Sequence, residues 1–321
     1  MPVKKLFAAA LIAFAAWSMP AHAEEFPSRL ITMIVPLTPG TTIDILARLY
    51  ADKLSQILGQ RMVVVNKAGA GTLIGAEAVE TANPDGYTLL FTNSAHAILG
   101  YVNKNLPFDP IRDFSGVSMI GLAPAVAVVP SKLGVTSLKE FVDLAKAKPG
   151  QLNYGSAGVG SSTHLAGAYF AAQAKINIVH VPYTVSANII SDMLSGAIQA
   201  SFDPLAFILS FVQNGSLRAL AIGADKPVTE PVAIPTAESQ GVDYRYASWY
   251  GILAPANTPK PALKILADAV AKASQDPDLI QKIKVQGIDS RITPLGGFDA
   301  YIKDDITRLA PLIKDALAEK Q

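Results

Sequence analysis

The sequence predicts an α/β protein built from open, mostly parallel sheets that are covered by helices. Strand-like and helix-like segments alternate along most of the 321 residues, which is the order that such sheets require. Half of the residues are apolar and none is cysteine, so a large core has to hold the fold without disulfides. Several predicted strand-to-helix turns are rich in glycine, serine and threonine, and the first of them reads PLTPGTTID at residues 36–44.

The first third of the chain contains three predicted strands and two predicted helices. Residues 30–35 form an apolar run that is typical of a buried strand. Residues 43–58 place their apolar side chains largely on one side of a helix, and Gly59 is suited to end it. Further strands are predicted over 62–65 and 87–92, with a short helix over 73–82 between them.

The middle of the chain continues the alternation, and the last third changes character. Two strands are predicted on either side of Pro124, over 117–120 and 125–129. The strands that follow are predicted over 152–154, 178–181, 200–202 and 219–222, and the helices over 138–147, 163–174, 187–195 and 206–214. A final strand over 249–254 precedes helices over 262–275, 277–285 and 297–319.

The N-terminal segment predicts export. Lys4 and Lys5 precede the apolar residues 6–17, and Ala21-His22-Ala23 has the small-x-small pattern of a cleavage site. This pattern predicts a secretory signal peptide over residues 1–23, cleaved after Ala23. The apolar run is shorter than the roughly twenty residues that a membrane anchor needs.

Composition argues against several partners. Removal of residues 1–23 leaves enough chain for two ordinary domains. The net charge of +1 becomes −1 when Lys4 and Lys5 are lost with the signal, which does not favour a nucleic-acid partner. The most apolar later segment, 117–129, is short and contains Pro124, so no later membrane span is predicted.

Motifs for catalysis, metals and cofactors are weak. The stretch Tyr154-Gly155-Ser156-Ala157-Gly158 fails the G-x-S-x-G pattern at its first position. Ser161, His164 and Asp203 can be combined into a triad on paper, but a triad is recognised by its geometry. The histidines lack metal-ligand spacing, and the glycines of residues 69–75 are spaced one residue too widely for a dinucleotide fingerprint. No metal and no cofactor are therefore predicted.

Three loops that follow predicted strands carry small hydroxyl or glycine residues and lead into helices. These donor loops are residues 38–42, 68–72 and 155–163. Each offers backbone N–H groups at a helix N-terminus, where the helix dipole also favours negative charge. One such loop is usually only a helix cap, but three at the carboxyl ends of parallel strands predict a shared crevice for an anion.

Short motifs follow one another in a fixed order along the mature chain. The first, IVPLTPGTTID at residues 34–44, is similar to the pattern I-V-P-F-x-P-G-G-x-x-D. The later motifs are PDGYTL at 84–89, YGS at 154–156, HLAG at 164–167, HVPY at 180–183 and WYGILAP at 249–255. In this order they resemble the extracytoplasmic solute receptors of tripartite tricarboxylate transporters, the Bug family.

The resemblance implies a two-lobed periplasmic binding protein of the type II-like class. Each lobe is expected to be a mostly parallel sheet flanked by helices, with the ligand in the cleft between the lobes. The implied boundaries are 24–124 plus 251–321 for lobe 1 and 125–250 for lobe 2. The implied function is capture of a small carboxylate in the periplasm, a dicarboxylate foremost, aliphatic or aromatic, for inner-membrane transporter subunits. A monomer is expected, and an exported serine hydrolase that uses Ser156 or Ser161 stays open as the alternative.

The resemblance also implies a set of ligand-binding residues. They are Thr38, Gly40, Thr41, Thr42, Ala70, Thr72, Ser94, Ser156, Ser161, Thr163, His164 and Asp203. The chain departs from the family pattern with Leu37, Leu73 and Ala168, which indicate either a less polar pocket or changes away from it. Within the first donor loop, Thr41 is expected to bind the ligand and Thr42 to cap the helix.

Overall fold

The computed structural model describes residues 25–103 and 105–318, so the predicted signal peptide and its cleavage site lie outside the described residues. The strands are β1 (Ile31–Val35), β2 (Met62–Asn66), β3 (Thr88–Asn93), β4 (Phe114–Pro130), β5 (Asn153–Ser156), β6 (Val179–Pro182), β7 (Ala200–Pro204), β8 (Leu217–Ile222), β9 (Ala247–Pro255) and β10 (Asp289–Ser290). The helices are α1 (Thr42–Leu58), α2 (Leu73–Glu80), α3 (Leu99–Val102), α4 (Leu138–Ala147), α5 (Ser162–Ala174), α6 (Ala187–Ser195), α7 (Leu205–Gln213), α8 (Lys260–Ala273), α9 (Pro277–Val285) and α10 (Gly297–Ala318).

Two parallel blocks of strands are joined by two long crossing strands. The order across the sheet is β2-β1-β3-β9-β4-β7-β5-β6. The pairs β1–β2, β1–β3, β5–β6 and β5–β7 are parallel, whereas β4 and β9 pair antiparallel with their neighbours. The predicted α/β fold is therefore confirmed, and its sheet is mixed because the crossing strands run against both blocks.

The region around Pro124 differs from the expectation. Two short strands were expected on either side of this proline, but β4 is a single strand of 17 residues. Its first part pairs with β9 as far as Pro124, and from Ala125 it pairs with β7. The missing N–H of Pro124 thus falls where the partner strand changes, which is a position where a strand tolerates proline.

Helices cover both faces of each block. The face of the first block under α1, α8 and α9 is filled by Leu46, Tyr50 and Leu266, and the opposite face holds Trp249 against Phe298. The second block is covered by α4 and α5 on one face and by α6 and α7 on the other. Each block therefore has its own core, and we propose that they are the two lobes, with boundaries at 24–124 plus 251–321 and 125–250.

No helix in the described part of the chain combines the length and the apolar composition that are needed to cross a bilayer. The three donor loops all lie at the carboxyl ends of strands in the two parallel blocks, after β1, β2 and β5. These loops therefore approach the junction of the two blocks, where open α/β sheets bind ligands.

Candidate functional site

The first donor loop leads from β1 into α1. Thr41 has the extended backbone of an N-cap, but its hydroxyl makes no bond to the helix and donates instead to the carbonyl oxygen of Thr38 at 2.9 Å. Asp44 in the first helical turn bonds back to the loop, since its carboxylate accepts the N–H of Gly40 at 3.0 Å. Thr42 is the first residue of the helix, and its buried hydroxyl has no partner. The expectation that Thr42 caps the helix is therefore wrong.

Asp44 also ties this loop to the neighbouring strand. The side-chain N–H of Asn66, at the end of β2, donates to Asp44 at 2.8 Å and to the carbonyl oxygen of Leu37 at 2.9 Å. Arg48 donates to both carboxylate oxygens of Asp44. Although burial raises the pKa of Asp44, the hydrogen bonds from Arg48, Gly40 and Asn66 outweigh it and lower the pKa. The loop is thus held by an ionised carboxylate.

The second donor loop has an unusual backbone. Gly69, Ala70, Gly71 and Thr72 all have positive φ angles, which residues other than glycine seldom adopt. At its end, Thr72 is fully buried with φ of 106°, and its hydroxyl has no partner among the described atoms. Backbone strain of this kind persists only where the surroundings impose it, and it clusters at ligand sites. The strained turn presents the Thr72 hydroxyl to the junction between the lobes.

The third donor loop is internally bonded. Ser161 is the N-cap of α5, and its hydroxyl accepts the N–H of His164 at 3.2 Å and lies 3.1 Å from the hydroxyl of Thr163. Thr163 in turn accepts the N–H of Ala157 at 3.0 Å. The imidazole of His164 accepts the N–H of Gly160 and stacks on His180, with ring centroids 4.0 Å apart. The hydroxyls of Ser161 and Thr163 therefore stabilise the loop that carries them.

Two adjacent cavities lie between the lobes. The inner cavity, of about 40 Å³, is lined by residues of all three β–α junctions and by the end of β7 and the start of α7. The outer cavity, of about 450 Å³, shares Leu37, Ala157 and Ser186 with it. Among the residues that the structure describes, no lysine or arginine lines either cavity. Neutral donors and one acid therefore define the polar part of this site.

The structure brings together eight of the twelve predicted site residues. Those that line the inner cavity are Thr41, Thr42, Thr72, Ser161, Thr163 and Asp203, and those that line the outer cavity are Thr38 and Ala70. The other four line neither: they are Gly40, Ser94, Ser156 and His164. Ser94 lies 2.9 Å from the hydroxyl of Ser248, and Ser156 lies 2.6 Å from His180, so both hydroxyls face the protein interior.

Sequence reasoning missed several cavity residues. Asn93, Ser162 and Ser186 add polar groups, and the apolar wall is completed by Ile43, Ala95, Pro204, Phe207 and Tyr250. Asn93 is the last residue of β3, one position before the predicted Ser94, so the rule for carboxyl ends of strands could have found it. Of the three apolar departures from the family pattern, Leu37 lines both cavities, and Leu73 and Ala168 line neither.

Three buried polar atoms at the inner cavity lack a partner. They are the hydroxyls of Thr42 and Thr72 and one carboxylate oxygen of Asp203. Burial raises the pKa of Asp203 to about 6, and a hydrogen bond with Ser201 only partly offsets this. Buried polar groups without partners are costly, so they point to a ligand or to water. Within the described residues no group of side chains has the composition of a metal site.

The two threonines of the first loop are expected to respond differently to substitution. Thr42→Val should weaken ligand binding by about 1 kcal/mol, roughly fivefold, because it removes a free donor from the cavity. The stability of the free protein should not fall, since the lost hydroxyl has no partner. Thr41→Val is the matched comparison, because it breaks the bond to Thr38 and should lower the stability of the free protein, which Thr42→Val should not. Calorimetry of binding and thermal unfolding of both variants measure this difference, and equal affinities for wild type and Thr42→Val would contradict it.

Two α/β lobes that are joined by crossing strands around a polar cavity define a periplasmic binding protein. The chain belongs to the tripartite tricarboxylate transporter receptor family, because the model described as "Tripartite tricarboxylate transporter family receptor" matches residues 46–317. Protein BugT of Bordetella pertussis (strain Tohama I) is 32% identical over 311 residues, which cover 96% of this chain and 95% of BugT.

Solved structures agree with this assignment. A structure described as a periplasmic transporter has a TM-score of 0.85 and 36% sequence identity, and the match covers 90% of this chain and 97% of that one. The structure of R. palustris Rpa4515 with adipate has a TM-score of 0.83 and 30% identity, covering 91% of this chain and 98% of that one. The chain is therefore similar to solute receptors over nearly its whole length.

Proposed function

We propose that this receptor captures a small carboxylate, a dicarboxylate foremost, and delivers it to transporter subunits of the inner membrane. The observation that carries the proposal is the pair of unpaired, buried hydroxyls of Thr42 and Thr72 at the inner cavity. The similar R. palustris protein Rpa4515 has been solved with adipate, which is a dicarboxylate. The predicted signal peptide supports a periplasmic location, and we propose that the receptor acts as a monomer.

The N-terminus of α1 supplies the remaining donors for a carboxylate. The first N–H groups of a helix have no acceptor within the helix, and the helix dipole favours an anion there. The hydroxyls of Thr42 and Thr72 add directed donors without a positive charge. A site of neutral donors holds an anion more weakly than one with arginine, whose hydrogen bonds are charge-assisted. Such a site suits a receptor that must release its ligand.

The walls of the cavities fit the carbon chain of the ligand. Leu37 lines both cavities, and Ile43 and Phe207 line the inner one. An aliphatic or aromatic segment next to the bound carboxylate can bury its surface against these side chains. The three donor loops and the apolar wall come from both lobes, so both lobes contact the proposed ligand.

The alternative of a serine hydrolase is favoured by one observation, the distance of 2.6 Å between the Ser156 hydroxyl and His180. This pair is not placed for catalysis on a ligand in the cleft. Ser156 is fully buried and lines neither cavity. Ser161 does line the inner cavity, but its hydroxyl is engaged with Thr163 and with the N–H of His164. We therefore propose binding without turnover.

A titration series tests the proposed function. Straight-chain dicarboxylates from succinate to suberate are to be screened by thermal shift, because a ligand at a hundred times its Kd adds about 2.7 kcal/mol of stability. The best ligand should then bind one-to-one in calorimetry and be recovered unchanged. Thr42→Val is the binding control, and Ser156→Ala and Ser161→Ala are the catalytic controls. Steady conversion of the ligand that is lost in either serine variant would establish the hydrolase instead.

A further inference from the structure

An acidic side chain lies in a site that we propose for an anion. Asp203, next to the last residue of β7, is 3% exposed and lines the inner cavity. One of its carboxylate oxygens has no partner. Two carboxylates in a space that excludes water repel each other unless a proton or a cation compensates. The proposed function leaves the presence of this acid unexplained.

Within residues 25–103 and 105–318, no cationic side chain lines the cavity walls to compensate Asp203. The strand β4 and the helix α7, which pack against β7, contain no ionisable side chain. The titratable groups of the other surrounding elements are Tyr154 on β5, His164 and Tyr169 on α5, His180 on β6, Asp192 on α6 and Tyr250 on β9. Tyr250 interacts electrostatically with Asp203. Across the cavity, Asp44 and Arg48 of α1 pair with each other.

We propose that Asp203 selects the ligand by sharing one proton with its second carboxyl group, so that the cleft binds a dicarboxylate together with a proton. This inference rests on the proposed function and identifies Asp203 as the residue that binds the second carboxyl group of the same ligand. The first carboxylate lies at the N-terminus of α1 with the hydroxyls of Thr42 and Thr72. No covalent bond forms, and the shared proton comes from the solvent or from the ligand itself.

The shared proton explains how an acidic side chain can bind a carboxylate ligand in this cavity. Two carboxyl groups that share a site hold one proton strongly, because the second charge is unfavourable beside the first. A protonated carboxyl is also a donor, and it satisfies the oxygen of Asp203 that is otherwise unpaired. A monocarboxylate with an alkyl end places no partner near this oxygen, so the same residue disfavours it.

The sign of the pH dependence follows from the proton count. Burial raises the pKa of Asp203 to about 6 in the free protein, and a second carboxylate raises it further in the complex. The complex therefore binds more protons than the free protein, so affinity falls as the pH rises above about 6. Between about pH 5.5 and about pH 7.5, dicarboxylate affinity should fall about five- to twentyfold.

The test compares the affinities of two variants and the wild type for several ligands at about pH 5.5 and about pH 7.5. Wild type and Asp203→Asn are titrated with the dicarboxylates from succinate to suberate and with hexanoate, at the two pH values. Asn keeps a side-chain donor but cannot titrate, so Asp203→Asn should have a flatter pH profile and bind the dicarboxylate more tightly than wild type at the higher pH. Protonation of the ligand itself affects both proteins equally, so it does not account for a difference between their pH profiles. Asp243→Asn, which removes an exposed acid of the second lobe, should keep the wild-type profile.

A second measurement does not depend on any variant. Calorimetry of the wild type near pH 7 in two buffers of different ionisation enthalpy should show uptake of close to one proton per dicarboxylate bound. No proton uptake, or equal affinity at both pH values, would overturn the shared proton while leaving the proposed receptor function intact. Binding of hexanoate alone, or loss of dicarboxylate binding by Asp203→Asn at both pH values, would also overturn it. If no carboxylate binds at either pH, the proposed function itself fails.

Discussion

Replacing Asp44 with alanine is expected to lower the free energy of unfolding by about 2–3 kcal/mol, because several hydrogen bonds to one buried carboxylate are lost together. The carboxylate accepts from the backbone of Gly40, from Asn66 and from Arg48. Its side chain is 4% exposed, whereas that of Arg48 is 50% exposed, so most of the loss comes from the Gly40 and Asn66 bonds. Denaturant unfolding measures the change.

Ligand affinity should fall in the same variant. Asp44 touches neither cavity, but its bonds hold the loop that carries Thr41 and the start of α1. A released loop must be ordered again when the ligand binds, and this ordering weakens binding. The exposed pair of Lys264 and Asp268 has the same spacing of four residues along a helix. Asp268→Ala is therefore the matched control, and it should change stability by less than about 0.5 kcal/mol.

The effect of Asp44 should depend on pH in a defined direction. Because its pKa is lowered in the folded protein, its stabilising contribution is complete above the ordinary value of 3.8 and is lost as the pH falls through the folded value. The difference in stability between wild type and Asp44→Ala should therefore shrink in acid, below about pH 4. A difference that stays constant down to the acid transition would show that Asp44 does not act through its charge.

The secondary structure could be predicted from the sequence because it depends on local patterns. Helix α4 and helix α9 begin and end at the predicted residues, since apolar periodicity and capping residues mark both. The single strand β4 could not be predicted, because the change of partner at Pro124 depends on strands far away in the sequence. The two-residue strand β10 carries no local signal at all.

The loops of the site could also be predicted, but their chemistry could not. Glycine and hydroxyl residues after predicted strands indicate where N–H groups and hydroxyls gather. Which hydroxyl is available to a ligand depends on the hydrogen bonds within the folded loop. The hydroxyl of Thr41 donates to the carbonyl oxygen of Thr38, whereas the hydroxyl of its neighbour Thr42 has no partner. The raised pKa of Asp203 likewise follows from its depth of burial, which no local pattern encodes. These features therefore require three-dimensional coordinates.

Gly71→Ala is expected to weaken ligand binding by about ten- to hundredfold, because it obstructs the contact between the lobes. Gly71 belongs to the second donor loop in the first lobe, and Val159 belongs to the third donor loop in the second lobe. A Cβ atom added at Gly71 would lie 2.5 Å from the carbonyl oxygen of Val159. This contact is to backbone, so a side-chain rotation cannot relieve it, and the lobes must move apart.

Gly71→Ala introduces both backbone strain and a steric clash with the other lobe, and the same substitution at a second glycine distinguishes the two effects. Gly71 has φ of +66°, so alanine is also strained there whether or not the lobes are in contact. Gly59 has φ of +69° and no atom within 4 Å of its added Cβ. Gly59→Ala should therefore lose about 1 kcal/mol of stability and keep its affinity, whereas Gly71→Ala should lose stability and affinity together.

Calorimetry of binding and small-angle scattering measure the effect of Gly71→Ala. A ligand that contacts both lobes favours the state in which they are close, so an obstruction in that state lowers the apparent affinity. We expect the radius of gyration of the wild type to decrease when ligand binds, and that of Gly71→Ala to remain larger at saturation. If the two glycine variants bind with equal affinity, the approach of Gly71 to Val159 does not contribute to ligand capture.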